Sequence, residues 1–208
     1  KKMISSLSIP LPDLPEQKRI ISKIDECFES IDKARANVEK NLQNAKDLFQ
    51  SQLNQIFSQK GDGWVENNLK DITTKIGSGA TPRGGQASYK ESGISLIRSL
   101  NVHDGAFKLE KLAFIDDEQA GKLDNVKVHE GDVLLNITGA SVARCCIAPK
   151  EYLPARVNQH VSIIRLIPGH LNTDFLHYCM ISRVNKDRLL AIGEQGATRQ
   201  AITKAQIE

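Results

Sequence analysis

Asp13-Leu14-Pro15-Glu16-Gln17-Lys18-Arg19-Ile20-Ile21-Ser22-Lys23-Ile24 opens the stretch that decides the architecture of this 208-residue chain. Asp13 is a candidate N-cap, Pro15 falls in the first turn, and Glu16 stands at the capping-box position. Apolar side chains then recur at Ile20, Ile24, Cys27/Phe28, Ile31, Ala34, Val38, Leu42, Ala45, Leu48/Phe49, Leu53 and Ile56/Phe57, mostly in steps of three and four. No Gly or Pro falls between Gln17 and Gln59. The pattern predicts one helix over about 13–58. At ~1.5 Å per residue it spans roughly 65 Å, more than the width of a small domain. Such a stripe needs a partner helix. Ile24, Ile31, Val38, Ala45, Leu48, Leu53 and Ile56 are expected to form its pairing seam, in a two-helix coiled coil with an equivalent helix running antiparallel. The period leaves two alternatives open, a helix folded back on its own domain and a bundle with another protein.

Gly61-Asp62-Gly63 ends the helical pattern and Trp64 begins new material. Short strands follow. Ile94-Ser95-Leu96-Ile97 is one; Val133 to Thr138, after the turn Glu130-Gly131-Asp132, is another; His160 to Leu166 alternates in part and is β-branched. Leu171 to Leu190 reads as helix in two pieces, with Asn172-Thr173 as the cap. The expected fold is α+β: a long N-terminal coiled-coil helix in residues 1–60, then a mixed α/β, sheet-dominated domain in residues 61–208.

Hydrophobic residues at 40% suffice for a core, although aromatics at 5% are sparse. No apolar run approaches the roughly 18 residues of a membrane helix, and no secretory signal is visible. The cysteines Cys27, Cys145, Cys146 and Cys179 lack the C-x-x-C spacing of zinc sites, and neighbours on a strand point opposite ways. Reduced thiols in a cytoplasmic protein are the expectation. The net charge of +3 is unevenly spread. Residues 75–108 carry five basic and two acidic side chains, 110–132 three and seven, and 144–204 nine and four. Two basic segments thus flank an acidic strip, a distribution that could give a one-sided positive surface suited to nucleic acid.

Catalytic motifs are missing from the sequence. There is no G-x-x-x-x-G-K-[ST] loop and no G-x-G-x-x-G after a strand. Gly77-Ser78-Gly79-Ala80-Thr81-Pro82-Arg83-Gly84-Gly85 is glycine-rich but lacks the Lys-Ser/Thr ending, and reads as a flexible loop with small hydrogen-bonding groups. His103, His129, His160, His170 and His177 show no metal-type spacing. Pro12-Asp13 with Glu16-Gln17-Lys18 spells the letters of a nuclease pattern, but two residues at a helix start are explained more simply by capping.

The end of the chain is similar to its beginning. Aligning Lys204 with Lys1 places Ile207 on Ile4, as in one period of a duplicated protein, and Lys1 suggests that something preceded it. The segment from Ile9-Pro10-Leu11-Pro12 through Glu16-Gln17-Lys18-Arg19-Ile20 to Asp25 strongly resembles the spacer region of Type I restriction–modification specificity subunits. Gly196-Ala197-Thr198-Arg199-Gln200-Ala201-Ile202-Thr203-Lys204 resembles the end of that family's target-recognition domains. Gly77 to Pro82, Gly93 to Ser99 and Gly131 to Gly139 match its other recurrent segments. Members typically hold two recognition domains and two spacer helices in pseudo-two-fold order. This chain has one of each, helix first, as in half a subunit.

The resemblance implies a non-enzymatic subunit that selects double-stranded DNA for partners. Those are adenine methyltransferase (modification) subunits and, through the complex, an ATP-driven restriction subunit. S-adenosylmethionine, ATP and Mg are expected on the partners and no cofactor in this chain. The long helix would pair with a second half-subunit or in a homodimer, dock the methyltransferase subunits and set the gap between half-sites. Base readout needs Arg, Asn, Gln, Ser or Thr on loops. The candidates are Thr81, Arg83, Arg98, Ser99, Asn101, Ser141, Arg144, Asn158, Gln159, Thr198, Arg199 and Gln200. For Asn136, Asn158 and Gln159 a loop-stabilising side chain is the competing expectation. Arg156 and Arg165 are candidate phosphate contacts or surface charge. The rival functions are a coiled-coil assembly protein without a nucleic-acid role, and a self-contained nuclease or methyltransferase.

Overall fold

In the computed structural model of the chain the described residues are 8–59, 61–194 and 200–208. The chain groups into two compact units, Lys1–Phe49 and Gln50–Glu208. The elements run α1 (Leu14–Ser58), α2 (Leu69–Ile72), β1 (Thr73–Ser78), β2 (Ile94–Ile97), β3 (Val102–His103), β4 (Ala106–Phe107), β5 (Ala113–Ile115), α3 (Asp117–Gly121), β6 (Lys127–Val128), β7 (Val133–Asn136), β8 (Cys145–Ile147), β9 (Ala155–Val157), β10 (Val161–Leu166), α4 (Thr173–Ile181), α5 (Arg183–Glu194) and α6 (Lys204–Ile207).

Helix α1 is unbroken over 45 residues. Asp13 caps it, its Oδ1 accepting from the Glu16 N–H at 2.9 Å. The Glu16 carboxylate, expected to close a capping box, instead clamps Arg19 through two bonds of 2.7 Å. Lys33 with Glu29 and Arg35 with Glu39 pair at i,i+4 on the surface, at 2.6 and 3.0 Å. Such exposed pairs contribute only a few tenths of a kcal/mol each. The seam residues Ile24, Ile31, Val38, Leu48 and Ile56 are 47–67% exposed, and Ala45 is exposed too. Leu53 is the exception and corrects its assignment to the seam. It is buried, at 6%, in the core of the globular unit, with Phe57 packed alongside one turn on. The helix end is held further by Asn54, whose Oδ1 accepts from the Arg183 N–H at 2.8 Å and so satisfies an orphan donor at the start of α5. Phe57, Trp64 and Phe175 meet as an aromatic trio with centroids 5.3–6.2 Å apart. Leu53 and Phe57 therefore serve the globular unit, because their side of the helix faces it.

Two four-stranded sheets build that unit. One is antiparallel throughout, ordered β1-β10-β7-β8. The other is ordered β5-β2-β9-β6, with β2 and β9 parallel and the rest antiparallel. Strand alternation splits the first sheet's side chains between two cores. Leu134, Cys146, Val161 and Ile163 face the second sheet and meet Leu96, Ile97, Ala155 and Val157. Val133, Leu135, Cys145 and Ile164 face the other way and meet Leu176, Met180 and Ile181 of α4 with Ile202 and Ile207. Neighbouring Cys145 and Cys146 thus enter different cores, and all four cysteines are free. Asn172 caps α4, its Oδ1 accepting from Phe175 N–H at 3.0 Å, and α4 and α5 form the two-piece helix read from the sequence.

Candidate functional site

The C-terminal ends of β1, β2, β7 and β9 converge on one rim. The Gly79 N–H donates to the Asn158 carbonyl at 3.1 Å, and the Asn158 N–H to the Ile97 carbonyl at 3.0 Å. The Ile137 N–H donates to the His160 carbonyl at 3.0 Å, the Gly139 N–H to Gln200 at 2.9 Å, and the Ile202 N–H to Ile137 at 2.8 Å. Segments far apart in sequence are thereby joined backbone to backbone, including the Thr138–Ala201 bridge. The approach at Gly79 is close enough that a Cβ there would sit 1.8 Å from the Val157 carbonyl oxygen, so only glycine fits. Beside the rim lies a cleft of about 610 Å³ lined by Ser99, Thr138, Ser141, Arg144, His160 and Gln200, among others.

Side chains complete the joinery. Asn136, fully buried at the end of β7, donates to the carbonyls of Ser99 at 2.8 Å and Val102 at 3.3 Å. Its Oδ1 has no partner among the described residues. Asn101 is fully buried as well; its Oδ1 accepts from Arg98 N–H at 3.1 Å, and its Nδ2 donates to Lys108 at 2.8 Å and Glu110 at 3.3 Å. Asn158 is buried and its Oδ1 accepts from the His160 N–H at 3.0 Å. These two expected readers are turned inward: their amides hold loops and present nothing outward. Arg98 lies 5.1 Å over the Tyr89 ring and donates to the Lys111 carbonyl. Ser99, Ser141, Arg144 and Gln200 line the cleft together. Arg83 and Gln159 are exposed, and the Thr81 hydroxyl donates to Gln159 Oε1. Thr198 and Arg199 lie outside the described residues. Thr138 and His160 belong to the site but were not among the expected readers; their hydroxyl and ring sit 2.5 Å apart, a pairing that no sequence spacing signals.

The expected one-sided positive surface is largely cancelled by the acidic strip, which supplies internal partners. Arg165 forms a two-bond clamp on Asp132 at 2.7 and 2.8 Å, and Asp132 is fully buried. Arg156 is buried against Asp124 at 2.8 Å and the Ala120 carbonyl at 3.2 Å. Lys90 pairs with Asp116 at 3.1 Å and Lys150 with Glu130 at 3.2 Å. Arg156 and Arg165 are thus structural ion pairs, and the phosphate role does not follow from their position. Among the described residues no group of three His, Cys, Asp or Glu side chains gathers into a metal site, and no helix is long and apolar enough to cross a membrane.

No protein-family model matches the chain. Its sequence is similar to the Type I restriction enzyme MjaVIII specificity subunit of Methanocaldococcus jannaschii, 24% identical over 207 residues, covering 91% of this chain and 47% of that protein. It is also similar to the Type I restriction enzyme EcoBI specificity subunit of Escherichia coli, 26% identical, covering 92% and 44%. In fold it matches a chain from a structural study of complex assembly and conformational transition of the type I R-M system, at a TM-score of 0.64, with 20% identity over 96% of this chain and 47% of that one. The HsdS subunit from Thermoanaerobacter tengcongensis matches at 0.55, with 20% identity over 96% and 46%. A long helix leading into a two-sheet α/β domain is the architecture that these likenesses share. Over nine-tenths of its length the chain is similar to Type I restriction enzyme specificity subunits. It spans about half the length of the curated relatives it matches.

Proposed function

We propose that this chain reads one half of a bipartite DNA site for a Type I restriction–modification system, and does no chemistry itself. The observation that carries the reading is the rim: polar loops after β2, β7 and β9, joined to Gln200–Ile202, line one cleft on a chain similar to specificity subunits. Residues 1–60 act as spacer and 61–208 as reader. The contacting set is Thr81, Arg83, Ser99, Ser141, Arg144, Gln159 and Gln200, with Thr198 and Arg199 beside them in sequence. The apolar stripe of α1 receives a second half-subunit or a second copy, and the helix docks the modification subunits, through which the restriction subunit joins. S-adenosylmethionine, ATP and Mg act on those partners, and the complex works in the cytoplasm. A homodimer would present two identical readers and select a palindromic interrupted site.

The test is a genome-wide map of N6-methyladenine in cells carrying the neighbouring methyltransferase gene, with and without this chain. An interrupted methylated motif appearing only with the chain supports the reading, and no chain-dependent motif sinks it. The open stripe of α1 favours a second reading, a coiled-coil assembly protein without nucleic acid. Replacing Arg83 and Arg144 separates the two: loss of DNA selection with unchanged association speaks for recognition.

A further inference from the structure

We propose that the cleft beside the rim seats one phosphate of the DNA backbone on the Arg144 guanidinium, so that Arg144 fixes where the domain sits on the duplex and not which base it selects. The proposal deepens the proposed function and rests on it. Ser99 follows β2, Ser141 and Arg144 lie between β7 and β8, and Gln200 precedes α6; all four line the cleft. No carboxylate is among its lining residues, and Arg144 is the one permanent charge there. Arg144 is half-buried, and its guanidinium has no hydrogen bond or ion pair among the described residues. The other buried or half-buried arginines are engaged: Arg156 on Asp124, Arg165 on Asp132, Arg98 on the Lys111 carbonyl. Asp104, whose carboxylate accepts from the neighbouring Cys145 N–H at 3.2 Å, is taken by Lys186. A half-buried cation without a counter-charge is a standing cost, which an anion in the cleft removes.

The backbone holds Arg144 in this place. The Ala143 N–H donates to the Asn136 carbonyl at 2.8 Å, the Asn136 N–H to the Arg144 carbonyl at 2.8 Å, and the Arg144 N–H to the Ser141 carbonyl at 3.2 Å. Buried Ala143 has a φ of 66°, a left-handed conformation that is strained for any residue with a side chain and is concentrated at functional turns. Shape decides between phosphate and base. Base edges lie at the floor of a major groove about 8.5 Å deep, so a reader must project from the protein surface. Arg144 instead lines a hollow, and a hollow receives a ridge: the phosphates are the outermost groups of the duplex, and contacts to them set register. The guanidinium fork matches two phosphate oxygens, and the hydroxyls of Ser99 and Ser141 turn to donate to a third. Arg83 and Gln159 are exposed outside the cleft and are left for base edges.

The test starts from a randomised duplex library selected by the purified whole chain; the enriched duplex is then the probe. Arg144→Ala should weaken binding to that duplex and to unrelated ones alike, by about 10-fold or more, with base preference at every position unchanged. The slope of log K against log salt should fall by about 0.9, the share of one phosphate. Arg144→Lys should keep the slope, because it keeps the charge, whereas Arg144→Gln should lose it as Ala does. Ethylating the phosphates one at a time should reveal one whose modification weakens the wild type and has no further effect on Arg144→Ala. Melting curves matched to the wild type exclude loss of fold, and the Lys and Gln variants cover the case in which Ala is poorly folded. If Arg144→Ala relaxes a single base position at unchanged slope, the residue is a reader and the proposal is overturned while DNA reading stands. Unchanged binding overturns it too, as does a fallen slope with no single phosphate losing its effect. If the wild type enriches no motif, DNA reading fails and takes this proposal with it.

Discussion

Single residues at the rim carry backbone geometry as much as chemistry. Gly79→Ala would drive a methyl group into the Val157 carbonyl. The β1 or β9 loop must then shift, at about 1–3 kcal/mol; a thermal melt should fall by several degrees, and unaltered stability would refute the tightness of the contact. Burial governs the thiols likewise. It raises Cys145 well above the ordinary thiol range, and Cys146 to about 12. Ellman's reagent should therefore label exposed Cys27 quickly, Cys179 slowly, and Cys145 and Cys146 only on unfolding. His177 is buried, with Nε2 unpartnered among the described residues, and desolvation lowers its pKa. The unfolded chain, with an ordinary His near ~6.5, binds the proton more readily. Stability is then full above about pH 6.5 and falls as the pH drops below it. Urea titrations between roughly pH 5.5 and 7.5 should show that slope, and His177→Gln should flatten it.

At the scale of elements, α1 presents most of its apolar surface to solvent while its last turns are built into the globular unit. Replacing Ile31 and Val38 with Asp puts charge into the stripe without touching the core around Leu53. Each buried Ile or Val is worth about 1.5–3 kcal/mol. Association measured by sedimentation should weaken about 100-fold or more, with the melting of the globular unit unmoved. An unchanged mass would mean that the stripe serves another partner. Leu53→Ala should behave oppositely, costing about 2–5 kcal/mol of fold stability and leaving association nearly intact.

For the whole molecule, the spacer reading makes helix length a measure of DNA. Deleting the seven residues from Asn37 to Gln43 keeps the stripe in phase and shortens α1 by about 10 Å. With base pairs about 3.4 Å apart, the methylated motif's gap should shorten by about 3 base pairs. A gap of unchanged length in the methylation map would remove the helix from that role.

The period of α1, its Asp13 cap, the strand at Ile94–Ile97 and the two-piece helix after Asn172 were legible in the sequence, because each depends on neighbours three or four places away or on alternation. The likeness to Type I specificity subunits was legible too, in the Pro-rich lead-in and the glycine loops. Side-chain direction was not. Asn101 and Arg83 look alike as polar loop residues, yet Asn101 is spent on three backbone groups and Arg83 is exposed. Leu53 sits in phase with Ile56 but packs into a different surface. The acidic strip looked like a boundary between basic faces and proved to be their internal counter-charge. Local periodicity is written in the order of residues, and so the sequence by itself determined the long helix, the sheet-rich domain and their order. Which polar groups face outward depends on hydrogen bonds and ion pairs between segments 30 to 80 residues apart, and only the tertiary structure decided that.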